Sequence, residues 1–142
     1  MREVMYQLAN SPEVYDAPDS FGCQAAVQTS KLSTHTQYNV GAAVIGGGRL
    51  LSLGHNKGKT SPYIGNKFRH RGIVIDKNHA EIEAVIKART DLRGAKMFVA
   101  RSNKVGLAMA RPCMCCMEVI EMAGIREIIY TAADGSWLKE RV

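Results

Sequence analysis

HAEIEAVIKARTDLRGAKMFVAR, residues 79–101, changes its repeat partway along. Ile82, Val85 and Ile86 recur at helical spacing, which predicts a helix over 79–90, and Gly94 closes the unit soon after. AKMFVAR (95–101) is then a short apolar run of strand length. The same alternation continues downstream. Residues 113–123 fit a helix ended by Gly124 as the residue after the cap, and REIIYT (126–131) is another short strand. Upstream, VGAAVIGGGRLLSLGHN (40–56) is two apolar runs around Gly46-Gly47-Gly48, a hairpin signal. SFGCQAAVQTSKL (20–32) fits a helix capped by Ser20 or Asp19. Strand–helix–strand–helix–strand from 50 to 131 predicts parallel neighbouring strands with crossover helices packed on the sheet. Neither an internal repeat nor a low-complexity tract interrupts the pattern, so residues 1–142 read as one domain.

A chain of 142 residues can bury a core that needs no disulfide staples. Its hydrophobic fraction of 46% and charged fraction of 23% are those of an ordinary globular protein, which argues against a disordered or fibrous chain. No stretch of 18 apolar residues suggests a transmembrane helix. MREVMYQLANSPEVYD at the N-terminus lacks a basic start followed by an apolar run, so no signal peptide is read and a cytoplasmic location is expected, with no membrane partner. Thiols stay reduced there, so the four cysteines are read as thiols or metal ligands and not as disulfides.

Three of those cysteines fall in four positions of RPCMCCMEVIEMAGI (111–125). Pro112 is suited to open a helix, because its missing N–H would be unpaired there. On that helix Cys113 and Cys116 are three apart and share a face, while Cys115 points roughly the other way. Cys113 and Cys116 are therefore the pair, and Cys115 reads as a small apolar residue facing the core. A helix N-terminus favours the thiolate form that a metal requires. A lone CxxC could also be a redox dithiol, but a redox pair normally follows an N-terminal strand. Two thiolates need one more protein ligand to make a catalytic zinc site with an open position, and His79 can supply it. In His79-Ala80-Glu81, the first and third residues can converge only if the helix begins there; Asn78 is the expected cap. Taken singly, His79 could be a surface histidine and Glu81 a first-turn acid.

Together, His79-Ala80-Glu81 and Pro112-Cys113-Met114-Cys115-Cys116 resemble the signature H-x-E then P-C-x-x-C of the zinc-dependent cytidine and deoxycytidylate deaminase superfamily. The resemblance spans roughly residues 20–131 and looks most like small free-standing phage and bacterial members. It includes VGAAVI leading to Gly54-His55-Asn56, similar to the family's first hairpin ending in a substrate-binding asparagine. It implies a three-layer α/β/α domain around a mixed sheet. It also implies Zn²⁺ on His79, Cys113 and Cys116, with Glu81 as the proton-transferring catalytic residue rather than a ligand. Asn56 and the backbone near Ala80 are implied to hold the substrate. Such a site lowers the pKa of a water toward about 7. The implied activity is hydrolytic deamination of the cytosine of a free nucleoside or nucleotide, dCMP first, in the cytoplasm (the host's, if the source is viral). The alternatives are a polynucleotide deaminase acting on tRNA or single-stranded DNA, and a structural zinc module binding nucleic acid, with His55, His70 or Cys115 as a fourth ligand.

Two features depart from the family pattern. Arg111 precedes Pro112 where many relatives carry Glu or Ser. Only eleven residues follow Thr131, where relatives continue with a fifth strand and a helix, so a truncated C-terminal part is expected. The edge at Glu127–Tyr130 would then be covered by the tail carrying Trp137 and Leu138, or by another subunit; a homo-oligomer is expected. The net charge of +6 is uneven: Lys57, Lys59, Lys67, Arg69, Arg71 and Lys77 face a single acid, Asp76, in a segment that reads as a long loop. Such a segment either is solvated charge or carries a cation to a substrate phosphate, with Arg69 and Arg71 the leading candidates and Lys67 next.

Overall fold

In a computed structural model of the chain, residues 12–33, 39–57 and 79–142 are described. The elements in chain order are β1 (Glu13–Val14), α1 (Phe21–Ser30), β2 (Asn39–Gly46), β3 (Arg49–His55), α2 (Ala80–Lys87), β4 (Lys96–Ser102), β5 (Leu107–Ala108), α3 (Met114–Met122), β6 (Glu127–Thr131) and β7 (Trp137–Arg141). Ser20 caps α1, its hydroxyl accepting the Cys23 N–H. Gly47 and Gly48 both have positive φ, +58° and +74°, which lets a two-residue turn join β2 to β3 with Gly46 paired to Arg49. Gly124, at φ +82°, ends α3: its N–H goes to the Glu121 carbonyl and that of Ile125 to Ile120, the two bonds of a left-handed helix stop.

The strands form a mixed sheet in the order β1-β7-β6-β4-β2-β3, with β5 beside β4. Alternation along the strands sorts the core into two faces. Ala42, Val44, Met97, Val99, Ile128 and Tyr130 pack with Ala80 and Ala84 of α2 and Ile120 of α3. Ala43, Phe98, Ala100, Ile129 and Trp137 pack with Cys23 and Ala26 of α1. The result is the expected α/β/α sandwich, with α1 on one side and α2 and α3 on the other. Ile82, Cys116 and Val119 close the seam between α2 and α3.

The parallel-neighbour expectation holds for β4 and β6, which pair in parallel, but not for β3 and β4. The hairpin folds β2 between them, antiparallel to both. The reason lies in the side chains: Gly41–Val44 of β2 are buried, whereas β3 keeps Arg49, Leu50 and Leu53 exposed and suits an edge. The tail also differs from a bare cover. Trp137–Arg141 is a regular strand, paired antiparallel with β6, and β1 pairs with it in turn. Trp137 is buried against α1's side of the sheet as a packing anchor.

Candidate metal centre

The N-termini of α2 and α3 meet at one end of the sheet. His79 is the N-cap of α2, extended at φ −78°, ψ 141°, and makes no side-chain capping bond. The cap was expected at Asn78, which lies outside the described residues; with His79 itself at the cap, its ring is turned away from the helix toward α3. Cys113 caps α3, and its sulfur accepts the Cys116 N–H at 3.4 Å. Pro112 therefore stands just before the helix and not at its first position, because Cys113 takes the capping place. The Cys116 sulfur lies 3.4 Å from His79 Nδ1. The donor atoms of His79, Cys113 and Cys116 all fall within 4.8 Å of one another. A tetrahedral zinc with ordinary bond lengths separates sulfur and nitrogen ligands by about 3.5–3.8 Å, so two thiolates and an imidazole in this arrangement fit that ion. Cys113 is exposed, His79 half-buried and Cys116 buried, so the group opens to solvent on one side.

The environment shifts the two thiols in opposite directions. A hydrogen bond from Cys116, then one from His79, hold the Cys113 thiol down at about 3. Cys116 is pushed up, first by the hydrogen bond it gives Cys113 and then by burial. Cys115 is half-buried beside Ile82, Cys116 and Val119, as an apolar residue would be, and desolvation raises its thiol.

Glu81 sits in the first turn of α2, 6% exposed. Burial is the main cause that raises its carboxyl, with the Cys116 thiol among its partners. Asn56 follows β3 directly. Its side-chain oxygen accepts the Val40 N–H at 2.8 Å and its own N–H reaches the Val40 carbonyl at 3.1 Å, which fixes the amide. Gly54 lies so close to α2 that a Cβ there would overlap the Ala80 carbonyl oxygen. Lys57 adds an ion pair to Glu83 of α2 at 3.4 Å, and Glu83 also pairs with Lys87 at 2.7 Å. These contacts on either side of Asn56 hold the end of β3 against α2, whose first residue, Ala80, is fully buried. The Glu83–Lys87 pair was legible as an i, i+4 spacing; the Lys57 contact was not. Lys67, Arg69 and Arg71 lie outside the described residues, as does His70. The guanidinium of Arg111, the departure before Pro112, binds Glu140 of β7, with Nε 2.8 Å from Oε2 and Nη2 3.2 Å from Oε1.

Residues 18–132 match the family model of the cytidine and deoxycytidylate deaminase zinc-binding region. That span covers most of the chain, which belongs to this family. It is a hydrolytic deaminase, and its metal is zinc. No curated protein sequence matches it significantly. Solved structures of similar fold include the dCMP deaminase of cyanophage S-TIM5 in complex with dCMP and dUMP, at 24% identity over 78% of this chain and 77% of that one, TM-score 0.55. Another is a cytidine deaminase from Burkholderia pseudomallei, at 19% identity over 83% and 87%, TM-score 0.56. A third is a diaminohydroxyphosphoribosylaminopyrimidine deaminase/reductase from Thermotoga maritima, at 23% over 78% of this chain and 28% of that one, TM-score 0.51. At these identities the likeness is one of fold. Among the described residues no helix is long and apolar enough to cross a membrane.

Proposed function

We propose that the protein hydrolyses the exocyclic amine of cytosine in a free nucleotide or nucleoside, dCMP first, releasing ammonia and leaving uracil. In this reading His79, Cys113 and Cys116 hold the zinc, whose Lewis acidity makes water a nucleophile at neutral pH. Glu81 moves the protons. It takes one from the attacking water and delivers it to the ring nitrogen beside the attacked carbon. With the ring no longer aromatic, it takes the remaining proton from the hydroxyl now bonded to that carbon and passes it to the amine, which leaves as ammonia while the carbonyl of uracil forms. Burial suits the carboxylate to this work, because a raised pKa brings an acid–base group closer to the operating pH. The amide of Asn56 and the backbone at Ala80 hold the substrate at the same helix start.

The observation that carries the reading is a buried carboxylate two residues from one donor of a three-donor metal group and outside that group. A structural zinc module would need a fourth protein donor. Among the described residues none joins the three, and Glu81 would be left without a task. Assembly of several copies belongs to the same proposal.

The test is an ammonia-release screen over cytosine, adenine and guanine nucleosides, their monophosphates and a short oligonucleotide, run beside Glu81→Gln. We expect release from dCMP foremost. The variant should keep zinc and substrate binding while turnover falls by about 10²- to 10⁴-fold. Preferred release from the oligonucleotide would replace the substrate assignment; near-normal turnover in the variant would remove Glu81 from the mechanism.

A further inference from the structure

Glu140 is a carboxylate that the deamination chemistry does not use, yet it is 5% exposed. On β7 it shares a face with Leu138, which packs against the core under α2 and α3. Its two oxygens receive the Arg111 fork, and one of them also accepts the hydroxyl of buried Tyr130 on β6. Burying a carboxylate costs several kcal/mol before it is paired, and well-packed apolar side chains would serve stability equally well. The arrangement calls for a reason other than stability.

Its position supplies one. Arg111 is separated from Cys113 by Pro112 alone, whose ring fixes φ and leaves that link little slack. The backbone just before it is pinned to β6: the Ala110 N–H donates to the Thr131 carbonyl at 2.9 Å, and the Thr131 hydroxyl donates to the Ala108 carbonyl at 2.6 Å. These bonds hold one end of the segment, and the Arg111 fork is its last anchor before the exposed Cys113.

We propose that Arg111, Glu140 and Tyr130 form a clamp through which the last strand positions Cys113 as a zinc ligand. None of the three touches the reacting atoms; they are positioning residues, and the inference rests on Cys113 holding the metal. Glu140→Gln keeps the shape and loses the charge. Arg111→Lys keeps the charge and loses the fork, and Tyr130→Phe removes a single bond. The measurement is zinc release to a coloured chelator, at a temperature where circular dichroism shows each variant fully folded. A clamp with only a structural part in the fold would lower the unfolding midpoint and leave zinc release from the folded protein unchanged. We expect release to quicken about tenfold in Glu140→Gln and less in Arg111→Lys, at the lower end of what partners behind a metal ligand contribute. Tyr130→Phe should change it least. Should Glu140→Gln fail to fold, the comparison of Arg111→Lys with wild type decides.

Cys113→Ala separates the clamp from the metal centre. If it loses zinc while the clamp variants release it at the wild-type rate, the clamp is overturned and the metal centre stands. If Cys113→Ala keeps its zinc, both are overturned.

Discussion

The sulfur of Cys113 occupies the place where a helix ordinarily carries a serine or aspartate oxygen, and it accepts a backbone N–H there. That bond, the Cys116 thiol and His79 all favour the thiolate, whereas desolvation acts the other way on Cys115 two positions on. Thiolate, not thiol, reacts with alkylating agents. In zinc-free protein, iodoacetamide should therefore modify Cys113 at pH 5 almost as fast as at pH 8, because a group held at about 3 is already ionised at both. Cys115 should be slow at pH 5 and gain rate as pH rises. Mass spectrometry of the labelled peptides reads both sites, and zinc should protect Cys113. Equal labelling of the two at pH 5 would contradict the assignment of Cys113 and Cys116 as the working pair. This pairing was legible in the sequence, because three-residue spacing on one helix is a local rule. The capping sulfur was not, since cysteine has no strong preference for a cap and only its contact with Cys116 reveals it.

At the scale of elements, the site depends on how closely α2 approaches the sheet. Gly54 faces the Ala80 carbonyl and the Ala84 N–H, with no room for a methyl group, and Ser52 donates its hydroxyl to the Ala84 carbonyl at 2.6 Å. Gly54→Ala must push the first turn of α2, with His79 and Glu81, away from β3. Overpacking of this kind costs about 1–3 kcal/mol. We expect a lower urea midpoint, together with weaker zinc retention at temperatures where the variant is folded. A midpoint equal to wild type would show that α2 does not rest on Gly54. The helices and strands themselves were readable, because the apolar repeat changes between 3.6 and 2 along the chain. Their order was less so. That β2 lies between β3 and β4 follows from Gly41–Val44 being buried on both faces, and the run GAAV shows apolarity without saying which strands flank it. The start of α2 was misplaced by one residue for a related reason. Cap rules favour Asn78, but the ring of His79 is drawn to the thiols of another helix, which no local rule contains.

Across the whole molecule, the most legible parts were those carried by short spacings, the histidine–glutamate and paired-cysteine motifs. The least legible were those that join distant segments. Arg111 and Glu140 are 29 residues apart and meet only after β7 has paired with β6. The positive charge is a third kind of feature, visible in sequence but with its purpose open. Lys57, at its start, is occupied with Glu83; Lys67, Arg69 and Arg71 lie further along, between Asn56 and His79 in sequence. A segment joined at both ends to the site can bring a cation to a 5′-phosphate, and the guanidinium fork matches phosphate oxygens. A hydrogen bond to a charged group contributes about 1.5–3 kcal/mol, so losing one should raise KM about tenfold or more. Arg69→Ala or Arg71→Ala should therefore raise KM for dCMP by that factor and leave deoxycytidine almost unchanged. Steady-state kinetics on both substrates would show it, with Lys67→Ala giving a smaller effect because an ammonium lacks the fork. A polynucleotide substrate predicts something different. Several phosphates would be neutralised at once, affinity would fall steeply with salt, and each substitution would flatten that slope by about one. Equal KM on nucleoside and monophosphate, with no oligonucleotide binding at low salt, would leave the segment as solvated charge that keeps a protein of net charge +6 dispersed.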